Sequence, residues 1–175
     1  MTIRDLTPAD VVRLAGFFGA LSEEDLTFIR EDVHDRTLIA RLPHAPDPRW
    51  IAVEGPAITG YATVERLPGR SDHVGELRLV VHPARRRAGL GRSLAQHALT
   101  AALRAGLRKV IVELAADQEH VIAMFSGLGF TGEALLHDHI RDRQGDFRDL
   151  IVLAHHVEEQ WSALDAVGLA DALTP

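Results

Sequence analysis

Cysteine is absent from this chain of 175 residues, which excludes disulfides, thiolate metal sites and a cysteine nucleophile. Long apolar runs are absent too: none approaches the ~18 residues that span a bilayer, so no membrane partner is expected. The opening stretch, Met1-Thr2-Ile3-Arg4-Asp5, lacks the basic, apolar and small-residue regions of a signal peptide, and a cytoplasmic location is the expectation. Positive charge is in short supply, with 19 Lys and Arg against 25 Asp and Glu and a net charge of −6 when the ten histidines are neutral. That balance argues against nucleic acid as a partner, because duplex affinity rests on neutralising phosphates with Lys and Arg. The rest is ordinary: 46% apolar and 25% charged residues, the make-up of a globular protein, in a length that suits one domain with a proper core. There is one local exception. Arg85, Arg86, Arg87 and Arg92 fall within eight residues, so an acidic chain carries one strongly basic spot.

Periodicity predicts alternating strands and helices. Ile3–Leu6 reads as a strand, and Thr7-Pro8 starts a helix with proline at its first position, its inner face formed by Val11, Leu14, Ala15 and Phe18. Ser22 opens a second helix whose first turn holds Glu23, Glu24 and Asp25 at the positive end of the dipole, with Leu26 and Ile29 inward. Residues 31–49, interrupted by Pro43, Pro46 and Pro48, read as a loop with one helical turn near Thr37–Arg41. Strands follow at Trp50–Glu54, Ile58–Arg66 and Val74–Val81, separated by the turn residues Gly55-Pro56 and Pro68-Gly69. A long helix runs from Gly91 to Ala105, with Leu94, Ala98, Leu99, Ala102 and Leu103 on one face and Gly106 just past its end. Lys109–Leu114 is nearly unbroken apolar sequence, the pattern of a strand buried on both faces. A further helix starts at Asp117 or Gln118 and stops at Gly129, and Leu135–Arg141 with Phe147–Ala154 form a hairpin across Gln144-Gly145-Asp146. The expected architecture is one α/β domain, residues 2–154, with a mixed sheet of six or seven strands and helices on both faces. Residues 155–175 are expected to be a helical tail whose Trp161, Leu164, Val167 and Leu173 stripe packs back or makes a homodimer contact.

The chemically richest stretch lies between a strand and the long helix, from Val80-Val81-His82-Pro83 through Arg86-Arg87-Ala88-Gly89-Leu90-Gly91-Arg92. Gly89 and Gly91 permit positive φ and close backbone approach, and the first helical turn leaves N–H donors without internal partners. Together these features suit a phosphate or pyrophosphate. A Walker loop is excluded by the lack of a Gly-Lys-Ser/Thr ending. A Rossmann fingerprint would need glycine at Leu94 and a start right at the strand end, although Glu113 stands about where its ribose-binding acid belongs. The plain alternative is a tight turn with solvated arginines.

The segment Gly75–Phe130 resembles the GNAT superfamily of acyl-CoA-dependent N-acyltransferases. Arg86-Arg87-Ala88-Gly89-Leu90-Gly91 matches that family's Arg/Gln-x-x-Gly-x-Gly/Ala signature, and Gln118 through Phe125-Ser126-Gly127-Leu128-Gly129-Phe130 is similar to its Asn-to-Leu-Gly-Phe segment. The likeness implies a GNAT-like mixed α/β fold and acetyl transfer from acetyl-CoA to a primary amine, by direct attack on the thioester and without metal. It further implies that the loop amides from Arg86, Arg87 and Ala88 through Gly89, Leu90, Gly91 and Arg92 hold the CoA pyrophosphate. Val80 and Val81 would meet the pantetheine arm and acyl carbonyl, and Gln118 would hydrogen-bond the cofactor where the family often has Asn.

Glu76 resembles the glutamate of lysine acetyltransferases, ten residues before Arg86, and is the candidate base. Strand alternation puts it with Arg78 and Val80 on one face, so a glutamate merely paired with Arg78 is the competing reading. Phe125 stands where many members carry a proton-donating tyrosine; His120 and Ser126 are the nearby replacements, and Tyr61, the only tyrosine, is another. His137 with His139, and His155-His156, have no partner at a familiar zinc spacing. The stretch Phe17–Asp25 resembles bacterial protein-lysine acetyltransferase domains, which makes a protein lysine one alternative acceptor. An acyl-CoA-binding module without turnover is the other alternative, suggested by Phe125.

Overall fold

The computed structural model describes residues 1–27, 29 and 31–157. Among them seven strands form one sheet: β1 Thr2–Asp5, β2 Arg49–Glu54, β3 Ala57–Arg66, β4 Val74–Val81, β5 Lys109–Ala115, β6 Thr131–Arg141 and β7 Phe147–His156. Their spatial order is β1-β2-β3-β4-β5-β7-β6. Neighbours are antiparallel except β4 and β5, which run parallel. The helices are α1 Val11–Gly19, α2 Glu23–Thr27, α3 Arg36–Arg41, α4 Leu90–Arg104 and α5 Glu119–Ser126.

Period-2 alternation divides the apolar residues of the sheet between two cores. Trp50 and Ala52 of β2 join Ala62, Val64, Leu77, Val110 and Val112 against α4 and α5. Ile51, between them in sequence, joins Tyr61 on the opposite face with Leu14, Phe17 and Phe18 of α1 and Ile39 of α3. Helix α4 buries Leu90, Leu94, Ala95, Ala98 and Ala102, the spacing of one helical face, and a fully enclosed leucine such as Leu94 contributes about 1.5–3 kcal/mol. That helix lies hard against β3. A Cβ on Gly60 would fall 2.6 Å from Leu94 Cδ1, so only glycine fits there without displacement.

Several boundaries differ from the sequence reading, each for a local reason. Thr7-Pro8 opens a 3-10 turn, Pro8–Asp10, before α1 begins. Asp10 is fully buried there and accepts from the Thr7 N–H at 3.1 Å, the Thr7 hydroxyl at 2.7 Å and both Arg4 nitrogens at 2.7 Å, with Arg13 also paired to it. The Arg4 hydrogen bonds, against the opposing effect of burial and with help from Thr7 and Arg13, hold its pKa far below the usual carboxylate range. Helix α3 is the single turn expected, capped by Asp35, which accepts the Thr37 N–H at 2.8 Å. Strand β6 begins at Thr131, ahead of the expected Leu135, because β7 pairs with Thr131 and Gly132 through Ala154 and Leu153. Strand β7 continues past the expected domain end at residue 154: His155 and His156 pair with Val110 and Lys109, and the His155 ring packs edge-on against Phe130. Those two histidines are therefore strand, not helical tail. Trp161 and its stripe, with any dimer contact they make, lie outside the described residues.

Candidate active site

Strands β4 and β5 are neighbours only at their beginning. Their parallel register joins Val74 with Lys109, Gly75 with Val110 and Glu76 with Ile111. Beyond Glu76, β4 stays with β3 as far as the Val81–Gly60 pair, and β5 stays with β7 as far as Ala115–Leu150. The two strands therefore diverge into a wedge, walled by Leu77–Val81 on one side and Val112–Ala115 on the other. Unpaired strand edges present N–H and C=O groups that require partners, and an extended ligand carrying amides can supply them in the manner of an added strand. Val80 and Val81 both lie on the β4 wall.

The wedge leads to the start of α4. His82 Nδ1 accepts the Ala84 N–H at 3.2 Å and sets a 3-10 turn over Pro83–Arg85. Arg87 and Gly89 then take left-handed φ values of 60° and 79°. Gly89 is the residue before the helix and no side chain caps it. The first i to i−4 hydrogen bond is Ser93 N–H to the Gly89 carbonyl at 3.0 Å, so the N–H groups of Leu90, Gly91 and Arg92 precede the internal ladder. These donors, at the positive end of a 15-residue dipole, have the geometry that suits an anion. Gly91 sits where a Cβ would touch Met124 Sδ at 3.4 Å and Val81 Cγ2 at 3.6 Å, which seats the helix start against the end of β4.

Most of the arginine charge is already engaged. Arg85 pairs with Glu54 at 2.8 Å, Arg86 with Asp25 at 2.5 Å and with the Val81 carbonyl at 3.3 Å, and Arg92 donates to the Gly127 carbonyl at 2.9 Å. Only the Arg87 side chain has no partner among the described residues. The basic spot read from the sequence is thus a backbone feature first, with one uncommitted guanidinium beside it.

Glu76 is the last residue of β4 with a partner on β5. Its side chain, 7% exposed, accepts Arg78 Nε at 2.8 Å and Nη2 at 3.2 Å. Arg78 also pairs with Glu31 and, at 3.1 Å, with Glu65, which takes Arg49 at 2.9 Å. Glu76 and Arg78 do share a face, and their pairing is the expected competing geometry, but Glu76 is enclosed and not facing solvent. Burial works against the Arg78 charge, yet its hydrogen bonds to Glu76 and the surrounding carboxylates raise its pKa further above the usual arginine value. Tyr61, opposite Val80 on β3, packs edge-on against Phe18. Burial pushes its hydroxyl up to about 12, so it keeps its proton at neutral pH.

At the far side of the wedge Gln118 precedes α5, and its side chain makes no capping bond. Phe125, 2% exposed, sits in the core with its ring edge-on to Phe130 at 5.1 Å. His120 and Ser126 are exposed. His137 pairs with Asp149 at 3.0 Å, and no group of three or more potential metal ligands occurs among the described residues.

A polar cleft of about 260 Å³ brings Arg86 and Gln118 together with Glu24 and Asp25 of α2 and with Asp117 and Arg148. It stands where β4 and β5 end, at the mouth of the wedge. Sequence reasoning missed Asp117 and Arg148 as site residues. The available signal was the hairpin turn Asp142–Asp146, which places Arg148 just inside β7, but no local pattern separates such an arginine from an ordinary surface residue.

A family model described as the acetyltransferase (GNAT) family matches residues 17–130. Comparison with curated proteins finds no match. Among solved structures, the ribosomal-protein-alanine N-acetyltransferase of Brucella melitensis is 23% identical, with 90% of this chain and 100% of that one covered at a TM-score of 0.74. The Salmonella typhimurium protein yncA, solved with its cofactor acetyl-CoA, is 24% identical over 90% of this chain and 94% of its own, at 0.73. A GCN5-related N-acetyltransferase of Kribbella flavida is 22% identical over 89% and 97%, at 0.75. These likenesses establish the fold, the mixed α/β arrangement expected from the sequence.

Proposed function

The chain belongs to the GNAT acetyltransferase family, and on that premise we propose that it moves an acetyl group from acetyl-CoA to a primary amine in the cytoplasm, the amine attacking the thioester directly. The observation that carries this reading is the wedge between β4 and β5, which ends on the uncapped start of α4. The residues present suit CoA in two ways. Its phosphates match the N–H groups of Leu90, Gly91 and Arg92 with the Arg87 guanidinium nearby, and its amide-bearing arm matches the open edge at Val80 and Val81. Gln118 can add a hydrogen bond from the opposite wall. When bound, acetyl-CoA supplies the activated acyl group.

What the chain itself must supply is position, proton removal and an exit for the thiolate. Glu76 is the proposed proton acceptor, because it is the last paired residue before the wedge opens and Arg78 fixes the plane of its carboxylate. Phe125 has no proton to give, so in this reading CoA leaves as a thiolate or is protonated by water.

Thiol release from acetyl-CoA with a panel of polyamines, amino acids and lysine peptides tests the proposal, run beside CoA binding by calorimetry. Turnover on any amine supports it, and lysine peptides in the panel test the protein acceptor. Tight CoA binding with no turnover on any acceptor would favour the second reading, an acyl-CoA-binding module, which Phe125 favours. For Glu76→Gln, the pH dependence of kcat/KM decides the base: an unchanged profile removes Glu76 from the mechanism.

A further inference from the structure

Arg148 lines the cleft at the wedge mouth. Behind it stands Asp142, 4% exposed, whose Oδ2 accepts Arg148 Nε and Nη2 at 3.3 Å each. Asp142 Oδ1 in turn accepts the N–H groups of Gln144 at 3.0 Å and Asp146 at 2.9 Å. The hairpin turn therefore fixes Asp142, and Asp142 fixes the guanidinium plane. In front, Nη1 donates to Asp117 Oδ2 at 3.0 Å, and Asp117 is 58% exposed. The contacts with Asp142 and Asp117 are unequal: the inner carboxylate is built into the turn, whereas an ion pair as exposed as the outer one is weak and readily exchanged.

The remaining lining residues are also polar. Glu24 has no partner among the described residues, Asp25 holds Arg86, and Ser22 and Gln118 complete the wall. With no apolar residue in its lining, the cleft favours a charged or polar acceptor over an alkyl or aryl amine. Its volume of about 260 Å³ lies below the ~300–1,000 Å³ of drug-sized sites, which suits a molecule of a few carbon atoms. Arg86 follows the β4 wall and Gln118 the β5 wall, so a ligand in the cleft adjoins the mouth of the wedge.

We propose that Arg148 determines acceptor specificity by binding a carboxylate, so that the acceptor is a small amino acid. The carboxylate takes the place of Asp117 on Nη1, and Glu24 and Asp25 favour entry of the amine end as a cation. This rests on the reading that the wedge holds acetyl-CoA.

The test is acetylation of the twenty common amino acids, each compared with its own carboxamide, alongside spermidine and a lysine peptide. Wild type is expected to prefer at least one free acid over its amide by about 10- to 150-fold in kcat/KM, the range for a hydrogen bond to a charged group. In Arg148→Gln the preference should fall to within about three-fold, with Arg148→Lys, which keeps the charge and loses the fork, in between. Asp117→Asn, which removes the competing carboxylate, should lower KM for the free acid. Far-ultraviolet circular dichroism checks each fold, and should Arg148→Gln not fold, the Lys and Asn variants carry the comparison. Equal use of acid and amide by wild type, or an undiminished preference in Arg148→Gln, overturns the inference. Turnover of spermidine or the peptide but of no amino acid overturns it alone and leaves the acetyltransferase reading standing. CoA binding without turnover on any amine overturns both.

Discussion

Gly89 offers a clean separation of backbone conformation from packing. It holds φ +79° and ψ −3° immediately before α4, and a Cβ built on it meets no atom within 4 Å. Whatever Gly89→Ala does is therefore conformational. The left-handed region costs alanine about 1–2 kcal/mol, and the lower entropy of the unfolded alanine chain returns about 0.4–1 kcal/mol. Measured from the unfolded chain to the CoA complex, the net loss is near 1 kcal/mol, or roughly five-fold in an equilibrium constant. How that loss divides is informative. A loop that keeps its conformation without ligand shows it as reduced stability, and a loop that relaxes when free shows it as reduced affinity. Urea unfolding and calorimetric CoA binding on the same samples give both parts. Gly89→Asn should recover more than half, because asparagine visits this region far more readily. A combined loss within about 0.3 kcal/mol of zero, or an asparagine variant as impaired as alanine, would refute the argument that the positive φ at Gly89 matters.

Other perturbations probe the scaffold that positions the site. Asp10→Asn should cost about 2–3 kcal/mol at pH 7, less than the 3–5 of a fully buried pair because Arg4 and Arg13 are partly exposed. Since the folded-state pKa of Asp10 is depressed, its contribution is present above the unfolded carboxylate value near 4 and is lost as pH falls toward the folded value. The wild-type and Asp10→Asn unfolding midpoints should therefore converge as pH drops below about 4, and a constant gap would contradict the assignment. Gly60→Ala, with its Cβ 2.6 Å from the enclosed Leu94, should lose about 1–3 kcal/mol by overpacking. Gly132→Ala, with open space around it, should change little in the same denaturation assay.

The parts legible in the sequence are those encoded locally. The bounds of β4 and α4, the loop between them and the special backbone at Gly89 all follow from residues adjacent in the chain. So does the shared face of Glu76 and Arg78. The wedge did not show itself, because it depends on which strand each end of β4 and β5 chooses, β3 and β7, and no local pattern encodes that choice. Nor did the fate of the arginines: Arg86 meets Asp25 across 61 positions and Arg78 meets Glu31 across 47. The expected hairpin strand starts only at Leu135, since glycine weakens a strand pattern, yet pairing with Leu153 carries β6 back through Gly132. Arg148 escaped for the same reason as the wedge, since the cleft it lines is assembled from segments far apart in sequence.

The inward engagement of Arg85, Arg86 and Arg92 also bears on how a negatively charged ligand arrives. With Arg85 and Arg86 matched at contact distance by Glu54 and Asp25, the field at a distance is that of a chain with net charge −6. In the proposed complex a CoA molecule, negative itself, approaches a protein of like sign, and the backbone N–H groups with the Arg87 guanidinium attract it only at short range. Beyond the Debye length of about 8–10 Å, added salt weakens the repulsion, so the association rate should rise with ionic strength, opposite to electrostatic steering. In that reading, capture at the loop is governed by fit on arrival and not by long-range guidance.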